Sequence, residues 1–275
     1  MKILYQGSPG AYSHLAALEV YPDSEVISCK TFDECFLKAQ KDEKLRIIIP
    51  ESNKTTGNIG IEHLIFKYRL NIYSEHFHKV EHNLLGLQGA KIRDIKNVMS
   101  HEQGLSQCSN YIKKNNLIEN VRADTAGSAK LISENNKISD AAIASRLSAK
   151  IYKLDIIKSN IENEKGNTTR FLIMGKPIHQ PELGPKKYIT SFLFKLKSKP
   201  AALYQSLGGF AINGVNLNKL QSFPETNSFT SHFFLCDLEG HIEEPKVQKS
   251  LEELGLHCED FHVLGVFEAD NFREK

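Results

Sequence analysis

Thr168, Thr169 and Arg170 have the side chains most suited to chemistry, and they directly precede the apolar run 171–175. A run of this kind is typical of a buried strand, so Thr169 and Arg170 are predicted to lie where a loop meets a rigid element. Such a position suits a catalytic site. These residues alone are also consistent with an ordinary strand edge and a surface charge. The rest of the chain must decide between the two interpretations.

The composition is that of a soluble globular protein. The chain has 275 residues, of which 40% are hydrophobic and 25% charged. Its apolar stretches are far shorter than the roughly 20 residues that span a bilayer, and residues 1–7 lack the apolar stretch of a secretory signal. We therefore predict no membrane association and no export.

Charge and cysteine content narrow the environment and the partner. The net charge is +2, with basic residues spread along the chain, so we do not expect a nucleic-acid partner. We expect the partner to be a small molecule. The five cysteines include no Cys-x-x-Cys spacing, which argues against a disulfide framework and a zinc knuckle. A cytoplasmic location fits best.

Three histidines, His76, His78 and His82, lie at near-alternating spacing. They suggest a metal site, but no carboxylate-rich or thiolate set accompanies them. We interpret them as residues near a strand end and predict neither a metal nor a cofactor.

Proline and glycine cluster at 177–187 and mark a linker between two domains. Before the linker, short apolar runs alternate with amphipathic stretches, which predicts an α/β domain with a mostly parallel sheet. Helix starts are predicted from capping patterns at Thr31, Ser100 and Asp124 or Thr125. The predicted strands are 3–5, 47–49, 70–73, 97–99, 141–144, 156–158 and 171–174.

After the linker the predicted order changes to βαββαβ, the ferredoxin-like arrangement. This order names a fold and no function. The predicted strands are 188–197, 215–221, 228–237 and 257–267, and the predicted helices are 200–212 and 244–254.

Five segments, in chain order, resemble the motifs of the prephenate dehydratase family. They are 5–16, with glycines at 7 and 10 in register, then 100–108, 124–129, 141–145 and the Thr-Arg-Phe triplet 169–171. The resemblance extends to the carboxyl-terminal part, because the family's ACT domain has the same βαββαβ order. It implies a two-lobed, periplasmic-binding-protein-like catalytic domain at 1–176 and an ACT regulatory domain at 188–275.

The implied activity is conversion of prephenate to phenylpyruvate, carbon dioxide and water in phenylalanine biosynthesis. The resemblance makes Thr169 the catalytic residue, with Arg170 as the cation beside it. Because prephenate carries two carboxylates, the site also needs fixed donors such as helix-start N–H groups. The turn at 124–128 could supply them or be a plain helix cap. The implied substrate-binding residues are Ser13, Asn53, Thr125, Ala126, Gly127, Ser128 and Phe171.

The segment 50–57 departs from the family pattern, with Ser52 in place of a glutamate and Lys54 in place of a serine. The exchange shifts the local charge by about two units, which affects anion binding and neighbouring pKa values. Glu51 could partly compensate from the adjacent position. We expect an active enzyme with altered kinetics.

The family's ACT domains bind phenylalanine between paired domains, so L-phenylalanine is the implied effector and a homodimer or homotetramer the implied assembly. Two departures favour weakened feedback: alanine replaces glycine in the first segment, and Phe223 replaces an arginine in the second. The corresponding allosteric positions are Ala201, Ala202, Leu203, Tyr204, Gln221, Ser222, Phe223 and Pro224.

Two alternatives stay open. Arogenate differs from prephenate by an amino group in place of the keto oxygen, so an arogenate dehydratase would gain from a buried acid facing that amine. A non-catalytic sensor of aromatic acids is the other alternative, and retention of Thr169 and Arg170 argues against it.

Overall fold

The computed structural model describes residues 1–225 and 231–274. Residue contacts divide the chain into two compact units. Unit 1 contains Met1–Cys35, Ile48–Ile59 and Phe77–Phe171. Unit 2 contains Phe36–Ile47, Gly60–His76 and the chain from Leu172 onward.

Strands and helices alternate through the first part of the chain. The strands are β1 (Lys2–Gln6), β2 (Glu25–Cys29), β3 (Leu45–Asn53), β4 (Gly57–Asn58), β5 (Asn71–Lys79), β6 (Asn83–Gly86), β7 (Asn97–Ser100), β8 (Ile118–Val121), β9 (Asp140–Ala144), β10 (Asp155–Lys158) and β11 (Thr168–Gly175). The helices are α1 (Tyr12–Val20), α2 (Phe32–Lys41), α3 (Glu62–Tyr68), α4 (Glu102–Gln107), α5 (Ser109–Lys114), α6 (Thr125–Asn135) and α7 (Arg146–Tyr152). Each strand predicted in this part lies on one of these elements.

Two sheets form from these strands. The first has the order β2-β1-β3-β11-β5, with β4 paired to β3, and β1 runs parallel to β2. The second has the order β10-β6-β9-β7-β8. In it β7 runs parallel to β8 and β9, whereas β6 runs antiparallel to β9 and β10.

The expectation of a mostly parallel sheet is therefore wrong for the second sheet, which is mixed. Strand β6 was not predicted, because the run around Leu84 and Leu85 is too short to be distinguished from a helix start. Both leucines are buried, one in each of the apolar clusters of this sheet. A buried strand of this kind needs no polar alternation.

The carboxyl-terminal part has the predicted order βαββαβ, with β12 (Tyr188–Leu196), α8 (Ala202–Ile212), β13 (Leu217–Pro224), β14 (His232–Glu239), α9 (Pro245–His257) and β15 (Cys258–Glu268). Its sheet has the order β13-β14-β12-β15, and the pairs are antiparallel. Residues 228–230 of one predicted strand lie outside the described residues. Apolar side chains of the sheet pack with α8 and α9 around Phe192, Phe210 and Val247.

The predicted helix caps are confirmed in two of three cases. The Thr31 hydroxyl accepts a hydrogen bond from the Glu34 amide, and Asp124 caps α6 by accepting from the Gly127 amide. The cap predicted at Ser100 is wrong. His101 caps α4 instead, and the Ser100 hydroxyl donates to the Ile143 carbonyl in the neighbouring strand.

Among the described residues, the structure contains no helix that is both long and apolar enough to cross a membrane.

Candidate active site

Unit 1 contains a cavity of about 440 Å³, a size within the usual range of small-molecule sites. Its walls come from the loop after β1, the end of β3, the segment after β5, helix α4 and the starts of α6 and β11. The polar lining includes Tyr12, Ser13, Asn53, His82, His101, Gln103, Gln107, Asp124, Thr125, Asn167 and Thr169. Phe171 and Ile59 are among the apolar lining residues.

Thr169 lies in this cavity beside Asn53. The Asn53 amide nitrogen donates to Thr169 Oγ1 over 2.8 Å. Asn53 Oδ1 accepts from the backbone amides of Thr55 at 2.9 Å and Thr56 at 3.1 Å, so the carboxamide is held in one orientation. Because a lone pair of Oγ1 is occupied by Asn53, the Thr169 O–H is left to donate. The arrangement suits a hydrogen-bond donor to a ligand.

Arg170 does not line this cavity, although Thr169 and Phe171 on either side of it do. Neighbouring residues of a strand point to opposite faces, and here the Arg170 guanidinium is buried 3.3 Å from Glu51 Oε2. Arg170 was predicted as the cation that polarises Thr169. The structure places it as a buried partner of Glu51 that holds β11 against β3.

The departures at Ser52 and Lys54 also lie away from the described cavity lining, which takes Pro50 and Asn53 from this segment. The Ser52 hydroxyl donates to Glu51 Oε2 over 2.8 Å. Glu51 was suggested to compensate for the glutamate that Ser52 replaces. Its side chain is only 1% exposed and does not line the cavity, so its position does not fit that role. The exchange of these two residues therefore does not change the charge of the described lining itself.

The glycine-containing loop after β1 brings Tyr12 and Ser13 to the cavity. Gly10 has φ +95°, a conformation that favours glycine, and its carbonyl accepts from the hydroxyls of Ser145 and Ser148. A Cβ at Gly10 would lie 2.5 Å from Ser148 Oγ. Glycine is needed here for backbone conformation and for close packing.

At the start of α6, Thr125 lines the cavity whereas Ala126, Gly127 and Ser128 do not. The Gly127 amide is occupied by the Asp124 side chain, and the Ser128 hydroxyl donates to the Asp124 carbonyl over 2.8 Å. For these residues the structure supports the plain helix-cap interpretation. Asp124 itself lines the cavity and accepts from Ser8 Oγ at 3.1 Å.

Sequence reasoning missed a connected polar wall of the cavity. His82 Nδ1 lies 2.8 Å from the Tyr12 hydroxyl, and His82 Nε2 lies 2.7 Å from Gln107 Oε1. The Asn167 amide donates to the same Gln107 oxygen at 3.3 Å. Gln107 belongs to a family-like motif and His82 to the histidine group considered for metal binding, but no spacing rule connects residues this far apart in the chain.

Burial controls ionisation along this wall. It lowers the pKa of the His82 imidazole, which favours the neutral form of the ring. Burial also raises the pKa of the Tyr12 hydroxyl and of the Cys108 thiol. At neutral pH these two groups are neutral.

The predicted allosteric segments lie in unit 2 and do not share one cavity. Residues 201–204 line a cavity of about 670 Å³. The segment 221–224 lies on β13 outside that lining, and Phe223 packs against Phe66 and Phe233. Within one chain, the position that carries arginine in the family is part of an aromatic cluster.

Ala201, where the family has glycine, precedes α8 with φ +58° and ψ +18°. This left-handed conformation costs an alanine roughly 1–2 kcal/mol relative to its usual conformations, a cost that glycine avoids. Ala201 therefore adopts a conformation that a glycine would adopt at lower cost.

Comparison with known proteins supports one family throughout. The family model described as prephenate dehydratase matches residues 3–179. The bifunctional N-acyl-homoserine lactone acylase/prephenate dehydratase of Komagataeibacter europaeus is 36% identical over 99% of this chain and 98% of its own length. An arogenate dehydratase/prephenate dehydratase of Arabidopsis thaliana is 34% identical over 99% of this chain and 73% of its own length.

Solved structures give the same result for the fold. GqqA, described as a novel type of quorum quenching acylase, has a TM-score of 0.93 at 36% identity and covers 99% of this chain and 100% of its own. The prephenate dehydratase of Arthrobacter aurescens in complex with L-Phe has a TM-score of 0.89 at 24% identity, over 98% of this chain and 90% of its own. The latter similarity concerns the fold alone.

Proposed function

The chain belongs to the prephenate dehydratase family, and we propose that it converts prephenate to phenylpyruvate, carbon dioxide and water. The observation that carries the proposal is the Thr169 hydroxyl, held by Asn53 at the wall of a cavity of suitable size. Thr169 is the proposed catalytic residue. The catalytic domain is proposed to span residues 1–176.

The reaction consumes one proton and needs no redox partner. The bond between the ring and its carboxylate breaks, its electrons enter the ring, and the ring hydroxyl leaves from the opposite carbon. The proton joins the leaving hydroxyl to form water. The product ring is aromatic, so the chemistry is strongly downhill once the hydroxyl can leave.

In this scheme Thr169 donates a hydrogen bond to the leaving oxygen. The amide of Asn53 withdraws electron density from Oγ1, which makes the Thr169 O–H a better donor. General-acid or donor assistance of this kind contributes about 10²- to 10⁴-fold in rate. Phe171 and Ile59 supply apolar surface that the ring can contact and that excludes water from it.

The test is phenylpyruvate formation from prephenate by the purified protein, at a neutral pH where the uncatalysed reaction is slow. We expect turnover by the wild type and a loss of about 10²-fold or more in Thr169→Ala. Turnover that survives in Thr169→Ala would refute the assignment of Thr169. Absence of turnover in the wild type would refute the proposed activity.

Arogenate is a second candidate substrate, because the carboxylate of Asp124 lines the cavity and could accept from an amine. Both Asp124 oxygens already accept hydrogen bonds, from Gly127 and from Ser8, which weakens this candidate. Comparing kcat/KM for prephenate and arogenate on the same preparation decides between them. A higher kcat/KM for arogenate would reassign the substrate.

The Komagataeibacter europaeus relative is named as an N-acyl-homoserine lactone acylase as well as a prephenate dehydratase. One route to such hydrolysis is attack by a side-chain nucleophile that a neighbouring base activates. Thr169 Oγ1 accepts from an amide donor, which suits hydrogen-bond donation rather than nucleophilic attack. We therefore extend only the dehydratase activity to this chain.

We propose that residues 188–275 form an ACT regulatory domain, joined through a linker at 177–187. Its antiparallel sheet and two helices have the βαββαβ order that such a domain requires. L-phenylalanine is the proposed effector and a homodimer or homotetramer the proposed assembly. The strained Ala201 and the Phe223 cluster favour weak L-phenylalanine binding, so micromolar binding by calorimetry would contradict this part.

A further inference from the structure

The proposed substrate is an anion, yet the described lining of the cavity has no permanent cation. Within the described part of the chain, no Lys or Arg side chain lines it, and the carboxylate of Asp124 does. The substrate of the proposed function carries two carboxylates. Neutral donors such as the hydroxyl of Thr169 can hold them but cannot neutralise their charge.

Two lining residues can become cationic, His82 and His101. His82 is only 3% exposed, whereas His101 is partly exposed and its Nδ1 accepts from the Gln103 amide as the cap of α4. Protonating Nδ1 of His101 would remove that cap bond. His82 has no such conflict.

The surroundings of His82 can accept a hydrogen bond from each ring nitrogen. Gln107 Oε1 lies 2.7 Å from Nε2. The Tyr12 hydroxyl lies 2.8 Å from Nδ1 and 3.0 Å from the Glu81 carbonyl. When the imidazole is neutral, the Tyr12 proton can point to Nδ1. When the ring is charged, the same proton can turn to the Glu81 carbonyl, and the Tyr12 oxygen then accepts from Nδ1–H.

The ionisable groups around His82 also tolerate a positive charge. From the segment between β10 and β11, Glu162 Oε2 accepts from the His82 backbone amide at 3.1 Å. Tyr12 on α1 and Cys108 after α4 are neutral at ordinary pH, and Glu81 precedes His82 in the chain. Burial is the main influence that keeps the ring uncharged when the cavity is empty.

We infer that His82 is a substrate-binding residue that takes up a proton when a dianionic ligand enters the cavity, and that its imidazolium supplies the positive charge the lining lacks. This inference rests on the proposed function for the identity of the dianion. An opposite charge within about 4–6 Å favours the charged form of a histidine, which reverses the effect of burial.

The sign of the pH dependence follows from this coupling. Burial lowers the pKa of His82 in the free protein, and the bound dianion raises it again. Between these two values each binding event takes up a proton, so affinity falls as the pH rises. Over that window KM for prephenate increases about tenfold per pH unit, whereas kcat changes little.

Proton uptake can be measured directly by isothermal titration calorimetry. Prephenate is titrated into Thr169→Ala at pH 7.5, in two buffers with different ionisation enthalpies. The inference predicts uptake of about 0.5 to 1 proton per ligand. Uptake near zero, or no binding of prephenate, overturns it. Because residual turnover would itself consume one proton per prephenate, phenylpyruvate is assayed after each titration and the uptake is corrected for it. The corrected uptake then judges His82 separately from the proposed activity.

Variants identify the group that takes up the proton. His82→Asn and His82→Gln, made in the Thr169→Ala background, are expected to abolish the uptake, while His101→Asn leaves it. In the otherwise wild-type chain, His82→Asn is expected to raise KM at pH 6 much more than at pH 8.5. His63→Asn, an exposed position on α3, is the matched control.

The outcomes are distinct. Uptake that survives in the His82 variants and disappears in His101→Asn assigns the proton to His101 and overturns the inference. If the His82 variants do not fold, the pH profile of wild-type kcat/KM still decides, because a flat profile between pH 6 and 8.5 contradicts coupled protonation. If the wild type turns over prephenate but binds it without proton uptake, the proposed function stands. The role of His82 in binding the substrate is then refuted.

Discussion

Replacing Arg170 separates a structural role from a catalytic one. The buried guanidinium lies 3.3 Å from Glu51 Oε2. Arg170 follows Thr169 on the same strand, but it is not part of the described cavity lining. Arg170→Met keeps most of the side-chain volume and leaves the Glu51 carboxylate buried beside an apolar group. We expect a large loss of stability and a small loss of kcat.

The magnitude follows from the burial of both partners. Removing one member of a buried ion pair costs about 3–5 kcal/mol, because the other charge stays buried and loses the charge opposite to it. For a chain of this size, that corresponds to a fall in Tm of roughly 6 to 20 °C. The double variant Glu51→Gln with Arg170→Met removes both charges and is expected to recover part of the loss. Arg93→Met, at an exposed pair, is the control and should cost less than about 0.5 kcal/mol.

The assay combines thermal unfolding with prephenate turnover well below the Tm of each variant. We expect kcat of Arg170→Met to stay within about 10-fold of the wild type, since donor assistance from Thr169, worth about 10²-fold or more, is retained. An unchanged Tm combined with a 10²-fold fall in kcat would refute the structural role. Arg170 would then act on Thr169 or on the substrate.

Three further predictions use other variants. Asn53→Asp keeps acceptors for the loop amides, but its carboxylate would accept from the Thr169 O–H and take that donor from the leaving oxygen, so kcat should fall about 10²-fold with Tm nearly unchanged, measured by turnover and thermal unfolding. Ala201→Gly should relieve the left-handed strain and tighten L-phenylalanine binding, measured by calorimetry. Unchanged binding would show that the strain at Ala201 does not affect the effector site. Ser52→Glu with Lys54→Ser should change kcat and KM by less than about 3-fold, because neither side chain belongs to the described cavity lining; a larger change would show that charge in this segment reaches the substrate.

Local pattern was enough to predict much of the fold. Apolar runs such as 47–49 and 141–144 are buried strands, as predicted. They could be predicted because an apolar run of consecutive residues by itself indicates a buried strand. The half-exposed strand β2 was missed, since only Cys29 at its end is buried. The mixed direction of the second sheet was also missed, because strand direction depends on connections that no local pattern specifies.

The sequence predicted those residues of the candidate site that belong to segments resembling the family's motifs. Thr169, Asn53, Ser13, Thr125 and Phe171 line one cavity, and the catalytic and substrate-binding roles that the family resemblance implies for them stay predictions. Arg170 was predicted as the cation beside Thr169 from proximity in sequence, whereas neighbouring residues of a strand point to opposite faces, and its guanidinium lies beside Glu51. Contacts such as His82 with Gln107 depend on packing between segments that are distant in the chain, and one sequence does not show them.

The most direct test of the account compares kcat for prephenate in the wild type, Thr169→Ser and Thr169→Ala. The account predicts that serine, which keeps the hydroxyl, stays within about 30-fold of the wild type, while alanine falls by about 10²-fold or more at a similar KM. Equal losses in serine and alanine would show that the Thr169 methyl group, rather than its hydroxyl, is what the site requires. Wild-type turnover in Thr169→Ala would contradict the central claim that this hydroxyl assists the departure of water.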